Sequence, residues 1–463
     1  MQRSLRELRP TVHFTAEATL AALGQVLTLS RIEAVLARVG IGPGRKRKLS
    51  WALAVLLCIA MNVFTEEALE AVLAKLLQGP RFLRPADDRV RASASAISQR
   101  REHLGVRPMQ ALFREVCQPL ATATTPEAFL WGFRLMAIDG TTEDVADTPE
   151  NARSFGRHRG ARGDSAFPQV KAVYLCECGT HAVCDAGFWP GDTSERVGGL
   201  RLLRSVEPGM LVLWDRGFHS YDMCTRCVAR GAHFLSRLPA HVKLQAIQRL
   251  PDGSYLAHLR PSDYARRKCD EQLLVRLIEY TLNDPGRPGH GQMHRVITSL
   301  LDATVYPAHA LACAYHERWD VELTIDEMDT HQRRPRQPLR SRTPLGVLQE
   351  LYGLLLAHYA VRAVMHEAAC QAGVAPDRLS FVGTVRILRN AVFEAQIVAP
   401  AQFAHWYARL LRDIARQQLP ERDNRCNPRV VKRKMSNFDL KRDHHRHSSQ
   451  PTKSFAQAIV ILI

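Results

Sequence analysis

The sequence predicts a multidomain α/β protein, and three observations support this. The chain has 463 residues, which corresponds to roughly two to four domains. Its beginning and its end carry apolar residues at helical spacing, whereas its middle carries short apolar runs typical of strands. We therefore expect an α/β core that is preceded by a helical domain and followed by further helices.

The first predicted domain covers residues 1–125 and is helical. Segments such as "TLAALGQVLTLSRIEAVLARVG" and "EEALEAVLAKLLQ" place apolar residues at helical spacing between turn signals. Basic residues are interspersed among these helices, so the domain is a candidate for DNA binding. The alternative, of equal weight, is that these basic residues are solvated helix ends. The basic residues are Arg45, Lys46, Arg47, Lys48, Arg84, Arg89, Arg91, Arg100 and Arg101.

The second predicted domain, residues 126–335, contains two apolar strands that each stop at an aspartate. "FRLMAID" ends at Asp139 and runs into a polar loop, and "MLVLW" stops before Asp215. Carboxylates at strand ends lie on a rigid edge where a metal can bind. A region of short strands at about 239–305 follows, which we interpret as a β-rich insertion.

A group of cysteines in this domain allows two interpretations. "CECGTHAVC" places Cys176, Cys178, His181 and Cys184 close together, as zinc ligands would be. The flanking runs "QVKAVYL" and "HAVCDAGF" are β-rich, so the favoured interpretation is a hairpin whose cysteines flank a glycine turn.

The stretch "YHERWDVELTIDEMDTHQRR" is predicted to be a helix with an unusually polar face. Offsets of three, four and seven residues place Tyr315, Arg318 and Glu322 within one arc. A tyrosine hydroxyl and a guanidinium are both suitable phosphate ligands. Trp319 is expected to pack into the core.

Two regions complete the predicted organisation. Residues 336–420 carry two apolar helices, and residues 421–463 form a basic segment with little periodicity, which we expect to be a flexible tail. The longest apolar run, "WALAVLLCIAMNVF", is shorter than the ~20 residues that a bilayer requires, and no signal peptide is evident. We therefore expect no membrane partner and a cytoplasmic location.

Charge and chemistry together indicate a nucleic-acid substrate. Lys and Arg number 63 against 46 Asp and Glu, a net charge of +17 that favours a polyanionic partner. If the fold brings Asp139, Asp215 and Glu322 together, they need a cation, and carboxylate oxygens suit Mg²⁺ or Mn²⁺. Two such ions support phosphodiester displacement. This combination favours the cutting or joining of double-stranded DNA.

The same residues carry a family resemblance. "AIDGTTEDVADTPENARSFGR", "LVLWDRGFHSY" and "VITSLLDATVYPAHALACAYHERWDVELTIDEMDTHQ" resemble the three catalytic blocks of DDE transposases of bacterial insertion sequences, in the insertion-sequence-four group. The resemblance implies a ribonuclease H-like core in which Asp139, Asp215 and Glu322 bind two divalent ions. It also implies a homodimer that pairs two terminal inverted repeats, and action at the bacterial nucleoid.

The resemblance implies roles for neighbouring residues as well. Tyr315 and Arg318 match the signature residues that hold phosphates of the transposon end, and Arg157, in the loop after Asp139, is a further candidate DNA contact. The signature expects lysine seven residues after Glu322, where this chain has Asp329. We expect Asp329 to pair with Arg333, whose guanidinium would then take over the DNA contact, with a solvated Asp329 as the equal alternative.

The predicted function is cut-and-paste transposition of an insertion sequence. Its expected steps are hydrolysis at the transposon end, hairpin formation on the opposite strand, hairpin opening and strand transfer, of which the hairpin step is implied by the family alone. Two alternatives are a metal-dependent DNA nuclease without strand transfer and an inactive DNA-binding relic.

Overall fold

Helices and strands occur together in this chain, which is a mixed α/β protein with a large sheet. The computed structural model describes residues 27–42, 49–78, 92–160, 163–261, 271–333, 337–394, 400–420, 430–431, 439–440, 442 and 450–462. They belong to two compact units, each assembled from separated segments. Unit 1 comprises Met1–Gly132, Ala137–Ser205 and Asp320–Leu419, and unit 2 comprises Phe133–Met136, Val206–Trp319 and Pro420–Ile463.

The helices are numbered in chain order. They are α1 (Leu29–Arg38), α2 (Trp51–Ala60), α3 (Leu69–Gln78), α4 (Ala94–Leu104), α5 (Arg107–Val116), α6 (Pro149–Phe155), α7 (Glu195–Leu202), α8 (Tyr221–Ala229), α9 (Ala308–Ala314), α10 (Trp319–Asp326), α11 (Pro344–Ala372), α12 (Phe381–Glu394), α13 (Phe403–Ala415) and α14 (Phe455–Ala458). Short 3₁₀ turns lie at Leu203–Ser205, Tyr315–Arg318, Pro376–Arg378 and Pro400–Gln402.

The strands are numbered in the same way. They are β1 (Phe129–Leu130), β2 (Phe133–Asp144), β3 (Arg159–Gly160), β4 (Gly163–Asp164), β5 (Gln169–Glu177), β6 (Ala182–Pro190), β7 (Met210–Trp214), β8 (His233–Arg237), β9 (Ala246–Arg249), β10 (Tyr255–Leu259), β11 (Leu273–Leu282), β12 (His294–Thr298), β13 (Val430–Val431), β14 (Asp439–Leu440) and β15 (Ile459–Ile461).

The long helix α11 forms the centre of unit 1. It begins at the N-cap Thr343, whose side chain accepts the N–H of Gly346, and ends at Gly373 in the left-handed conformation (φ 66°). Helix α2 packs directly against it, because a Cβ at Gly353 would lie 2.1 Å from the carbonyl oxygen of Cys58. The N-terminal helices therefore share a core with the C-terminal ones, and the predicted limit at residue 125 does not coincide with a limit between the units.

Each unit contributes its own strands. In unit 1 the order is β6-β5-β2, with β5 and β6 antiparallel, so the hairpin predicted around the cysteines is confirmed. In unit 2 the order of neighbouring strands runs from the first residues of β2 through β7, β8, β12, β11 and β10 to β9. Strand β7 is buried along its whole length and runs parallel to β8, which explains its continuous apolar sequence. The strands expected at 239–305 are present as β9 to β12.

The segment after Asp139 differs from the expected loop. Strand β2 continues to Asp144, so Asp139 lies within the strand rather than at its end, and α6 occupies part of the remaining segment. The two β-branched residues Thr141 and Thr142 favour extended backbone, and the pairing with β5 holds it. Within the predicted loop, the sequence pattern suggested turns because Gly, Asp and Asn are frequent there.

The C-terminal segment also differs from the expected flexible tail. Much of 421–449 lies outside the described residues, but β15 pairs antiparallel with β11, from Tyr280↔Ile461 to Leu282↔Ile459. The Asp284 carboxylate additionally accepts the backbone N–H of Thr452 at 3.1 Å. The apolar "IVI" therefore completes the sheet of unit 2, so the expectation of flexibility was wrong for these last residues.

The predicted helix at Tyr315–Arg334 is built from three helical types. A 3₁₀ turn (Tyr315–Arg318) leads into α10, and a π-helical segment (Glu327–Gln332) follows. Since π-helix turns are wider than α-helix turns, angular offsets computed across Glu327–Gln332 at 100° per residue do not apply. None of the helices within the described ranges is both long and apolar enough to cross a membrane.

Candidate active site

Asp139 lies in unit 1 on β2, beyond four consecutive buried residues. One oxygen of its carboxylate accepts the N–H of the following Gly140 at 2.8 Å. Gly140 itself is closely packed, because a Cβ there would lie 3.2 Å from the carbonyl oxygen of Ala172 on β5. A paired and packed backbone thus holds Asp139, which limits the movement of its carboxylate.

Asp215 lies in unit 2 and directly follows the buried strand β7, as predicted. Its carboxylate accepts the N–H of Gly217 at 2.7 Å. Tyr315 is packed beside it, since the Tyr315 hydroxyl donates to the carbonyl oxygen of Trp214 at 3.4 Å. Burial raises the pKa of Tyr315 well above its ordinary value; the Arg318 guanidinium opposes this rise, and the Asp215 carboxylate adds to it. Within unit 2, the structure therefore brings Asp215, Tyr315 and Arg318 together.

Arg318 is buried at the end of the 3₁₀ turn, three residues after Tyr315, where side chains three apart eclipse each other. Its guanidinium carbon lies 5.8 Å from the ring centroid of Trp319. Trp319 is 40% exposed, so the expectation that it packs into the core was wrong. A ring within cation–π distance of an arginine can help to orient the guanidinium without being buried itself.

Glu322 lies on α10 in unit 1 and is partly buried. Five residues later, Glu327 begins the π-helical segment and enters a buried charge cluster. Its carboxylate accepts a hydrogen bond from the Nε–H of Arg362 at 2.9 Å. The carboxylate oxygens also lie 3.0 Å from Nε2 of His358 and 3.2 Å from Nδ1 of His181. Burial alone would raise the pKa of Glu327, but these partners, Arg362 foremost, hold it well below its usual range.

The cluster around Glu327 is not predicted by the sequence patterns described above. Its signal was present in α11, where His358 and Arg362 lie four residues apart within "LLLAHYAVRAV". Two polar residues on one face of an apolar helix require a buried polar partner. That partner, from a distant part of the sequence, could not be identified from the spacing alone.

Asp329 is also part of a cluster in unit 1. It forms the expected pair with Arg333 at 3.8 Å, but Arg333 is bonded more closely to Glu143 on β2. The Arg333 guanidinium also donates to the carbonyl oxygen of Gln337 at 3.1 Å. Since the side chain of Arg333 is only 10% exposed, its hydrogen bonds are made largely within the protein.

Other predicted DNA contacts have protein partners as well. Arg157 donates to the Asp147 carboxylate at 2.5 Å and to the carbonyl oxygen of Ser165 at 3.1 Å. Arg101 is buried and donates to the Ser341 hydroxyl at 3.1 Å. Arg100 stacks on Trp51, 3.1 Å from the ring centroid. The other basic residues named for the N-terminal helices, Arg45, Lys46, Arg47, Lys48, Arg84, Arg89 and Arg91, lie outside the described residues.

The chemistry of the three predicted acids fits a divalent cation, because carboxylate oxygens are the ligands that Mg²⁺ and Mn²⁺ prefer. Among the residues that the structure describes, however, no three His, Cys, Asp or Glu side chains are grouped closely enough to hold a metal. The donors are thus suitable in kind, while a complete set of ligands is not assembled in the described part of the chain.

Comparison with known proteins identifies the class. Residues 131–360 match the family described as "Transposase DDE domain", and residues 17–114 match "Insertion element 4 transposase N-terminal". The chain is 30% identical over 427 residues to "Transposase InsG for insertion sequence element IS4" of Escherichia coli (strain K12), covering 89% of this chain and 92% of that protein. It is 28% identical over 147 residues to "Putative transposase InsZ" of the same organism, covering 32% and 49%.

These matches define a DDE-type transposase, an enzyme that acts on DNA. The chain belongs to the IS4 family of insertion-sequence transposases. DDE transposases as a class use divalent metal ions. The predicted family is thereby confirmed.

One solved structure is also similar. The "Cryo-EM structure of piggyBac transposase synaptic complex with hairpin DNA" matches with a TM-score of 0.42 and 13% identity, over 87% of this chain and 85% of that one. A likeness of this degree does not establish a shared fold.

Proposed function

We propose that this transposase moves an insertion sequence by a cut-and-paste reaction on double-stranded DNA, with Asp139, Asp215 and Glu322 as its catalytic residues. The observation that carries this proposal is the packing of Tyr315 against the backbone of Trp214, beside Asp215. Tyr315 and Arg318, the proposed phosphate-binding pair, come about a hundred residues after Asp215 in the sequence but lie next to it in the folded chain. We infer a ribonuclease H-like arrangement for the core.

Each residue has a proposed role that follows from its chemistry. Arg318 neutralises a phosphate of the transposon end, and its buried position strengthens that attraction. The Tyr315 hydroxyl is held by burial in its protonated form, so it donates a hydrogen bond rather than carrying a charge. Arg157 is proposed as a further DNA contact, in exchange for part of its bonds to Asp147 and Ser165.

The three carboxylates are proposed to hold two Mg²⁺ or Mn²⁺ ions when DNA is bound. Bound by these carboxylates, such ions would supply neutralisation of the phosphodiester charge and activation of a water or a 3′-hydroxyl. The contribution of the chain is to present three hard oxygen donors from β2, the end of β7 and α10. We propose hydrolysis, hairpin formation, hairpin opening and strand transfer as the steps, and a homodimer that holds two terminal inverted repeats in the bacterial nucleoid.

Substitution of the acids tests this proposal. Asp215→Ala, Asp139→Ala and Glu322→Ala are each expected to lower cleavage of end-bearing DNA by at least about a hundredfold, with DNA affinity largely retained, because affinity depends on Lys and Arg. Glu33→Gln, an exposed change on α1, is the matched control. Cleavage by Asp215→Ala at the wild-type rate would show that the catalytic assignment is wrong.

The same assay separates the alternative functions. Joined products in the presence of target DNA indicate transposition, and cut products that are never joined indicate a nuclease. A wild-type protein that binds ends but does not cut them with Mg²⁺ or Mn²⁺ is a DNA-binding relic.

A further inference from the structure

Asp329, which stands where the family signature expects lysine, contacts other side chains of unit 1. Asp329 lies in the π-helical segment, and its carboxylate accepts the hydroxyl of Thr141 at 3.4 Å while lying 3.8 Å from the Arg333 guanidinium. Arg333 is bonded to Glu143, which is 4% exposed. The side chains of Glu143, Asp329 and Arg333 are called the Glu143 cluster below.

The Glu143 cluster connects the two elements of unit 1 that carry proposed catalytic residues. Alternate residues of a strand point to the same face, so Thr141 and Glu143 lie on the face of β2 that presents Asp139. Asp329 and Arg333 lie in and directly after the helical segment that continues from Glu322. Contacts within the cluster therefore join the strand of Asp139 to the helix of Glu322.

The charges of the cluster balance only if one carboxyl is neutral. It holds two carboxyls and one guanidinium, with the buried Tyr174 and the Glu350 carboxylate as the neighbouring titratable groups. Burial, followed by the nearby Glu143 charge, raises the pKa of Asp329 to about 9. Because Arg333 contacts Glu143 more closely than Asp329, Glu143 and Arg333 form the ion pair, and Asp329 is left as the carboxyl without a close counter-charge.

We propose that the Glu143 cluster is a positioning device that fixes β2 and Asp139 to the helix that carries Glu322. Arg333 then acts through Glu143 and not as a DNA contact, and Asp329 acts as a neutral hydrogen-bonding group. This inference rests on the proposed catalytic role of the acids.

Four variants and a control test it in the full-length protein. Arg333→Gln leaves Glu143 as an uncompensated buried charge, and single-turnover cleavage is expected to fall at least about tenfold. Glu143→Gln combined with Arg333→Gln removes both charges and is expected to recover most of that loss. Arg333→Lys, which keeps the charge, is expected to lose less of the cleavage rate than Arg333→Gln.

Asp329→Asn imitates the protonated acid and is expected to cut within about twofold of the wild-type rate at pH 7.5. Arg416→Gln, which breaks an exposed pair with Asp413 at the end of α13, is the control and leaves cleavage unchanged.

Two further measurements distinguish positioning from other roles. The salt dependence of DNA affinity is expected to be the same for Arg333→Gln as for the wild type; a fall of about 0.9 in the logarithmic slope would identify a phosphate contact and overturn the proposal. In wild-type protein, cleavage should fall as pH rises through about 9, when Asp329 loses its proton, and Asp329→Asn should lack that step.

The outcomes also separate this inference from the proposed function. If Asp215→Ala is inactive while Arg333→Gln cuts at the wild-type rate, only the positioning role is wrong. If Asp329→Asn is as inactive as Asp215→Ala, the charged carboxylate is required and the cluster has a different role. If Asp215→Ala cuts like the wild type, the catalytic assignment fails, and the positioning role fails with it.

Discussion

Replacing Glu327 by glutamine is expected to destabilise the protein strongly at neutral pH. Glu327 is 8% exposed and shares its carboxylate with Arg362, which is 1% exposed, so the substitution leaves a buried guanidinium without a counter-charge. Breaking a buried ion pair from one side costs about 3–5 kcal/mol. His358 cannot compensate, because burial lowers its pKa and keeps it neutral.

The pH dependence of this effect has a defined sign. The folded-state pKa of Glu327 is depressed, so its contribution to stability is fully present above the unfolded-state value of about 4.3 and is lost as pH falls through the folded-state value. The difference in free energy of unfolding between wild type and Glu327→Gln should therefore be constant from pH 7 to about pH 5. It should shrink under more acidic conditions.

Urea unfolding followed by tryptophan fluorescence measures this difference. Glu33→Gln is the matched control, because Glu33 is exposed on α1 and surface changes typically remain within about 0.5 kcal/mol. Equal urea midpoints for wild type and Glu327→Gln at pH 7 would refute the assignment of a charged, paired Glu327. A difference that widens in acid would refute the sign of its pKa shift.

Two further substitutions test the packing of each unit. Gly353→Ala should lower the free energy of unfolding by about 1–3 kcal/mol, because the new Cβ would lie 2.1 Å from the Cys58 carbonyl oxygen. Gly42→Ala is the control, since a Cβ there meets nothing within 4 Å. Equal thermal midpoints for the two variants would contradict the close contact at Gly353. Ile459→Asp should release β15 from β11 and make the C-terminal segment sensitive to protease, because the charge would be buried. Val460→Asp, on the exposed face of the same strand, is the control and should not have this effect. Equal digestion rates for the two variants would show that the pairing of β15 does not depend on the burial of Ile459.

Much of the site was predictable because its elements carry local signals. Strand β7 is a continuous apolar run that ends at an aspartate, and the Tyr315 and Arg318 spacing is visible without a structure. The turn after Asp215 and the antiparallel hairpin of β5 and β6 follow from glycine positions and β-branched runs. These features depend on neighbours in the sequence, which is why the sequence indicates them.

The remaining features depend on partners that are distant in the sequence. Strand β2 continues past Asp139 because β5 pairs with it, and no local pattern shows that pairing. The π-helical segment is held by Glu327, whose partners come from the β5–β6 turn and from α11. The exposure of Trp319 and the burial of Arg101 and Arg333 likewise follow from tertiary packing, which overrides the average preferences of these residue types.

The discontinuity of the two units has a consequence for biosynthesis. Helix α2 leaves the ribosome early, but its packing partner α11 is translated nearly three hundred residues later. Likewise, β11 can pair with β15 only after the last residues described have been translated. At about 5–20 residues per second, the apolar α2 remains without α11 for roughly 15–60 s. A nascent chain in this state exposes apolar surface, so we expect chaperone binding during translation and little folded product from messages that are truncated before α11.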